Sequence, residues 1–162
     1  MIKSFLTDKS YRRSLVAVAA TLAVLGSGTV VYAIHSWGSY HWARTSNPFT
    51  LKLGDNVSGV WDAYLDGASS DWSVSSSTLI GTSIVAGGTN NTKGKYTPKN
   101  CIPTAGRVEV CSAKYGSTGW LGLAQIWASG DHIVQGIAKM NDTYFNTSKY
   151  NTPAWRRLVM CQ

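Results

Sequence analysis

From Phe49 to Leu53 apolar and polar side chains alternate, with Phe49, Leu51 and Leu53 on one side, which predicts a half-buried strand. Gly54-Asp55-Asn56 reads as a turn with a helix cap. Val57, Val60, Trp61, Tyr64, Leu65, Ala68 and Trp72 then recur at helical spacing and predict a helix with an aromatic and aliphatic inner face. Leu79 to Ala86 favours strand and ends at Gly87-Gly88, and residues 87–106 read as a polar loop rich in Lys and Asn. Short strands are expected over Arg107–Cys111 and Leu121–Ala128, and Ser129-Gly130-Asp131 turns the chain into another from His132 to Met140. The order β-α-β-β-β-β-α makes the fold class α+β.

Both ends carry signals of a different kind. Asn151-Thr152-Pro153 opens a second helix, with Thr152 as cap and Pro153 in the first turn. Trp155, Leu158, Val159 and Gln162 fall at i, i+3, i+4 and i+7, which makes them its expected inner face. No Gly, Asn or Pro exit signal follows, so the sequence reads as a fragment that ends inside a helix, with a natural end as the alternative. At the other end, Lys3, Lys9, Arg12 and Arg13 precede an apolar run from Leu15 to Val31 and a small-x-small site at Val31-Tyr32-Ala33. Residues 1–33 therefore read as an export signal, leaving the chain secreted; an uncleaved membrane anchor is the alternative.

Composition sharpens this picture. Charged residues make up 14% of the chain, against about 25% in typical globular proteins, which fits an exported, loop-rich domain better than a cytosolic nucleotide enzyme. Four of the 15 basic and one of the 8 acidic side chains lie in residues 1–33, so removing them lowers the net charge from +7 to +4. The rest are scattered apart from Lys93, Lys95 and Lys99 in one loop and the pair Arg156-Arg157. They read as solvated loop charges, and no nucleic-acid partner is expected. In an exported chain Cys101 and Cys111 are expected to close a disulfide across Pro103 and Gly106, which leaves Cys161 as a free thiol, an intermolecular link or half of a pair with its partner outside this sequence. Asn56, Asn90, Asn141 and Asn146 begin glycosylation-type triplets, as chance allows in so Asn-, Ser- and Thr-rich a chain.

The chemistry legible from residue types is sparse. Beyond residue 33 there is one Glu, Glu109, and Asp62 and Asp66 share a helix face opposite the apolar stripe, as solvated carboxylates do. Gly81-Thr82-Ser83-Ile84-Val85 lacks the second glycine of a nucleophile elbow. His35, His41 and His132 are too far apart for a local metal motif, and His132 reads as a surface residue at a strand start. Residues 34–48, with Trp37, Tyr40 and Trp42, form an N-terminal segment expected to be mobile. No complete catalytic set is present, and no catalytic residue is assigned.

Three segments carry a resemblance. Gly119-Trp120-Leu121-Gly122-Leu123-Ala124-Gln125-Ile126, Lys139-Met140-Asn141-Asp142-Thr143-Tyr144-Phe145 and Trp155-Arg156-Arg157-Leu158-Val159-Met160-Cys161-Gln162 together resemble the upper subdomain of a matrixin-like metzincin, a secreted zinc metallopeptidase. The likeness spans roughly residues 42–162. It implies a zincin-like mixed, twisted sheet with one long packed helix and the start of a second, so that residues 49–162 are an incomplete catalytic domain. In that family the second helix carries H-E-x-x-H-x-x-G-x-x-H, whose histidines hold zinc while the Glu is general base to the bound water. Leu158-Val159 resembles the approach to this motif, which puts Gln162, a poor zinc ligand, where the first His stands. The remaining ligands would follow residue 162, so no metal ligand is named, and Cys161 would pair downstream. The resemblance also makes Leu121, Gly122, Leu123, Ala124, Gln125 and Ile126 an edge strand that holds a polypeptide substrate through its backbone. It implies zinc, with calcium as a second candidate ion, and a monomer that leaves the membrane once its signal is cut. The competing expectations are a secreted module using Trp37, Tyr40 and Trp42 for glycan or surface contact, and a catalytically dead peptidase homologue.

Overall fold

The computed structural model describes residues 38–73, 80–88 and 100–162; the expected export signal over residues 1–33, His35, Trp37, Leu79, Asn90 and the loop lysines Lys93, Lys95 and Lys99 lie outside these. Its elements are β1 (His41–Trp42), β2 (Phe49–Asn56), α1 (Gly59–Ser73), β3 (Ile80–Ala86), β4 (Arg107–Ala113), β5 (Gly122–Ser129), β6 (His132–Asn141), α2 (Asp142–Phe145) and α3 (Pro153–Cys161). The fold is α+β, with a mostly parallel sheet and few helices. Among the described residues no helix is long and apolar enough to cross a membrane.

Six strands form one sheet. Parallel pairs join β3 to β2, β2 to β4 and β4 to β6, while β5 runs antiparallel to β6 from His132 to Met140. Because β5 occupies one edge of β6 over that length, β4 and β1 share the other edge, β4 from Gly136 onward and β1 at His132 and Ile133. Strands β3 and β5 are thereby the outer strands, and β5 alone is reversed.

The alternation in β2 does form a strand, but it continues through the residues expected to turn. Gly54, Asp55 and Asn56 pair with Glu109, Val110 and Cys111 of β4, so sheet pairing holds Asn56 in place. Its amide donates to Gly54 O at 3.1 Å and to the Glu109 carboxylate, and so is not available as a cap. Helix α1 accordingly starts at Gly59 rather than Val57, after Asp55 Oδ1 has accepted the Val57 N–H at 3.2 Å.

Its buried face is Trp61, Leu65, Ala68 and Ser69, while Val60 and Trp72, expected inside, are 61% and 51% exposed. The last turns are tied to β3 by hydroxyls: Ser69 Oγ lies 2.7 Å from Thr82 Oγ1, and Ser73 Oγ accepts the Thr82 N–H at 3.0 Å. A polar anchor of this kind leaves no trace in apolar periodicity. Asp62 also departs from expectation: it is half-buried, with Oδ1 enclosed and unbonded, whereas Asp66 is exposed.

One face of the sheet carries Leu53, Ile84, Val108, Val110, Ala138 and Met140, which pack with Val57, Trp61, Leu65 and Phe145 into the main core. The opposite face is closed by the Cys101–Cys111 disulfide over Ile137. With a sequence separation of 10 the bridge closes a short loop, which restricts the unfolded chain enough to stabilise the fold by about 2–3 kcal/mol. Beside it lies Glu109, fully buried, which accepts from Gly88 N–H at 3.1 Å and pairs with Arg107 Nε at 3.7 Å. Gly54 must be glycine there, because a Cβ would run into that carboxylate.

Helix α3 begins as expected, with Thr152 Oγ1 accepting the Trp155 N–H at 3.3 Å. Its inner face is displaced by one residue. Arg156, Val159 and Met160 face the core, whereas Trp155 and Leu158 are 38% and 48% exposed. The cause is Arg156, whose guanidinium stands 4.5 Å from the Trp61 ring and 5.3 Å from the Phe145 ring and donates to Phe145 O and Asn151 Oδ1, both at 3.2 Å. The two rings and two oxygens offset part of the cost of burying that charge, while Nη1 is enclosed without a partner.

Asp142 completes this joint by accepting the Trp61 Nε1–H at 2.8 Å. Burial pushes its carboxyl above the ordinary range, against the opposing pull of the Trp61 bond, Arg156 and Lys114. The native state therefore holds that proton more tightly than the unfolded chain does. The contribution of Asp142 is fully present below the ordinary carboxylate pKa and is lost as pH rises through the elevated one. Asp142→Asn keeps an acceptor for Trp61 and removes the charge. Thermal unfolding followed from mildly acidic to neutral buffer should fall less steeply for this variant than for the parent; equal slopes would remove Asp142 as the source.

Candidate functional site

The antiparallel edge strand and α3 enclose a cleft of about 470 Å³. Leu121, Gly122, Leu123 and Ala124 form one wall, and Trp155, Leu158 and Val159 form the other, with Gln162 at the end. Gln125 and Ile126 lie further along β5 and do not line it, and Leu121 precedes the strand. A second apolar cavity of about 400 Å³ lies on the helix-bearing face of the sheet, between Leu53, Leu65, Val110 and Met160, and Gln162 borders that one too.

How β5 reaches this position follows from Asn141. Fully buried at the end of β6, its side chain accepts the N–H groups of Tyr115 and Thr143, each at 3.1 Å, and donates to Gly116 O at 2.9 Å and Thr118 Oγ1 at 3.0 Å. Gly116 N–H donates to Thr143 Oγ1 at 2.8 Å and Gly119 N–H to the Tyr144 hydroxyl at 2.9 Å. Both glycines have positive φ, 90° and 84°, which L-residues adopt rarely. The segment between β4 and β5 is thus moulded on the Asn141–Tyr144 turn, and the Trp120 ring packs at a tilt 5.3 Å from that of Tyr115 as the chain enters the cleft wall. Burial, with Asp142 adding to it, pushes the Tyr115 hydroxyl far above its usual range. The side chains of Asn56 and Asn141 are both committed inside the fold, which removes two of the glycosylation-type positions; Asn146 is exposed.

Among the described residues that line the cleft, Lys139 is the one charged side chain. Burial lowers its ammonium below the usual lysine range, and it stands 5.5 Å from the Tyr115 ring. Apolar walls beside an exposed edge strand can take up side chains and pair with an extended backbone. They hold no carboxylate or imidazole to move a proton. Nor do the described residues contain a group of three or more His, Cys, Asp or Glu able to hold a metal ion.

The other candidates scatter. Asp62 and Asp66 stay on α1, Cys161 is a half-buried thiol 4.0 Å from Asp71 Oδ2, and Arg157 pairs with Asp71 at 3.0 Å on the surface. Tyr40 is 49% exposed, while Trp42 is half-buried against the sheet and lies in β1, so the expected mobile segment contributes a strand. The structural roles of Arg156, Glu109 and Asn141 were not legible beforehand, since a lone buried polar residue has no sequence pattern. Comparison with protein-family models, curated proteins and solved structures finds no match to this chain.

The cleft depends on a close approach at Gly122, where a Cβ would lie 2.6 Å from Val159 Cγ1. Valine is stiff about χ1 and cannot give way easily. Gly122→Val should therefore lower stability by about 1–3 kcal/mol in urea unfolding, and adding Val159→Ala should recover part of that loss. A loss that Val159→Ala leaves unchanged would mean that β5 and α3 are not in contact there.

Proposed function

We propose that this chain is the sheet-bearing, N-terminal part of a secreted, matrixin-like zinc endopeptidase, and that β5 and its cleft hold a polypeptide substrate in extended form. The observation that carries the reading is the reversed edge strand itself. In a sheet whose other long strands are parallel, the strand named by the resemblance is the antiparallel outer one, and it borders an apolar cleft beneath α3. The element order after the two-residue β1 supports it as well: strand, helix, strand, strand, reversed edge strand, strand, then the single turn α2 and the helix α3, with Gln162 as its C-cap. The Cys101–Cys111 disulfide fits an oxidising compartment.

The residues present do not fit a zinc site. Gln162 stands where the reading expects a histidine, and among the described residues no donor group of three exists, so no step of hydrolysis is derived through a metal here. What this part of the chain does is bind and orient. A substrate segment added beside β5 would receive backbone hydrogen bonds from its free edge, while the apolar walls take a large uncharged side chain.

The test uses an uncharged extended peptide titrated into the protein, read by Trp fluorescence from Trp120 and Trp155. Leu158→Asp should weaken binding by at least about tenfold with little change in melting temperature, because Leu158 is largely solvent-facing and a carboxylate in the cleft must be desolvated by the peptide. For the protein extended in its own reading frame, zinc content and chelator-sensitive cleavage of casein are expected. Peptide binding without cleavage would favour the dead homologue, the outcome that Gln162 supports, and absence of peptide binding would overturn the site.

A further inference from the structure

His41 and His132 are ninety-one positions apart in sequence, yet they are register partners on adjacent parallel strands. Their ring centroids stand 4.7 Å apart, and both side chains are exposed at the end of the sheet. Two backbone bonds fix the contact: His41 N–H to Asp131 O at 2.9 Å and Ala43 N–H to Ile133 O at 3.3 Å.

The tautomer of His41 follows from its neighbour. Its Nδ1 lies 2.8 Å from Ser39 O, and a carbonyl oxygen only accepts, so Nδ1 carries the hydrogen. In the neutral ring Nε2 is then left with its lone pair. This is the arrangement found in metal-binding histidines, whose second nitrogen is commonly held by a backbone carbonyl or a carboxylate. The spacing agrees. Two imidazoles sharing one ion through nitrogens at about 2.0 Å place their centroids about 4.5 Å apart at a right angle and about 5.2 Å apart at the tetrahedral angle.

We propose that His41 and His132 form a two-histidine site for a divalent transition-metal ion of the imidazole-preferring kind, zinc or copper, which clamps β1 onto β6. No third protein donor is at hand among the described residues, so water fills the remaining positions. Neither histidine lines the cleft beside β5, so this site is separate from the peptide-binding reading and stands or falls without it.

Clamping has a thermodynamic consequence. An ion that bridges two strands of the native sheet binds the unfolded chain less well, so it raises the melting temperature. It also holds the two-residue strand β1, the shortest in the sheet, at the point where residues 38–40 approach it.

The test is calorimetric titration of untagged protein with zinc and, separately, with copper(II), beside thermal unfolding with and without the ion. One ion per chain is expected, with a rise in melting temperature and matched shifts of the His41 and His132 ring resonances in the zinc-loaded parent protein. His41→Gln and His132→Gln should each weaken binding by at least about tenfold and abolish the thermal shift, with metal-free melting unchanged. Absence of binding at millimolar zinc and copper, binding that survives the double substitution, or ring resonances that do not move in the zinc-loaded parent would each overturn the proposal.

Discussion

The position of α3 against the sheet rests on one buried charge. Arg156 packs against the touching rings of Trp61 from α1 and Phe145 from α2, its guanidinium held by Phe145 O and Asn151 Oδ1, while Asp142 takes the Trp61 indole hydrogen. Helix α1 meets α2 and α3, which lie far along the chain from it, at this joint. A guanidinium is planar and weakly hydrated, which suits it to two aromatic faces where a lysine would lose the same contacts. With Arg156 turned inward, Trp155 and Leu158 rotate toward β5, and the apolar cleft exists because of that rotation. The joint also leaves Arg156 Nη1 enclosed without a bond, so it is not a surplus of satisfied contacts.

A second constraint works from the other wall. Asn141 gathers Tyr115, Gly116 and Thr118 around its amide and so decides where the chain turns into β5. Gly122 then lets the strand come against Val159. The two walls are thus set by polar side chains at the ends of elements, while the apolar core fills the space between the sheet and α1. This division explains how a sheet with ordinary parallel pairing can present one reversed, accessible strand beside an apolar trough.

Much of this architecture was legible in the sequence. Pattern and turn signals place five of the six strands and both longer helices among the described residues within three residues at each end, because those patterns report burial on one face. Long-range relations are a different matter. The two-residue strand β1 has no pattern of its own and exists only through its partner β6, so the juxtaposition of His41 with His132 was hidden by their separation in the chain. The inner face of α3 was read one residue out of phase because an arginine buried by aromatic rings looks solvent-facing to any apolar count. Likewise Gly54-Asp55-Asn56 has the composition of a turn, and pairing with β3 on one side and β4 on the other keeps it extended. Of the candidate site, the resemblance named Leu121 to Ile126, of which Leu121 to Ala124 line the cleft; the wall from α3 and the role of Asn141 rest on contacts between residues distant in sequence.

We propose that the free edge of β5 receives an extended polypeptide. The decisive measurement follows the amide resonances of the isotopically labelled protein as an uncharged extended peptide is added. The largest shifts and slowed hydrogen exchange are expected along Gly122 to Ala124, with the indole signals of Trp120 and Trp155 moving in step. Shifts confined to β3, the other outer strand, or a spectrum that does not change at saturating peptide would contradict it.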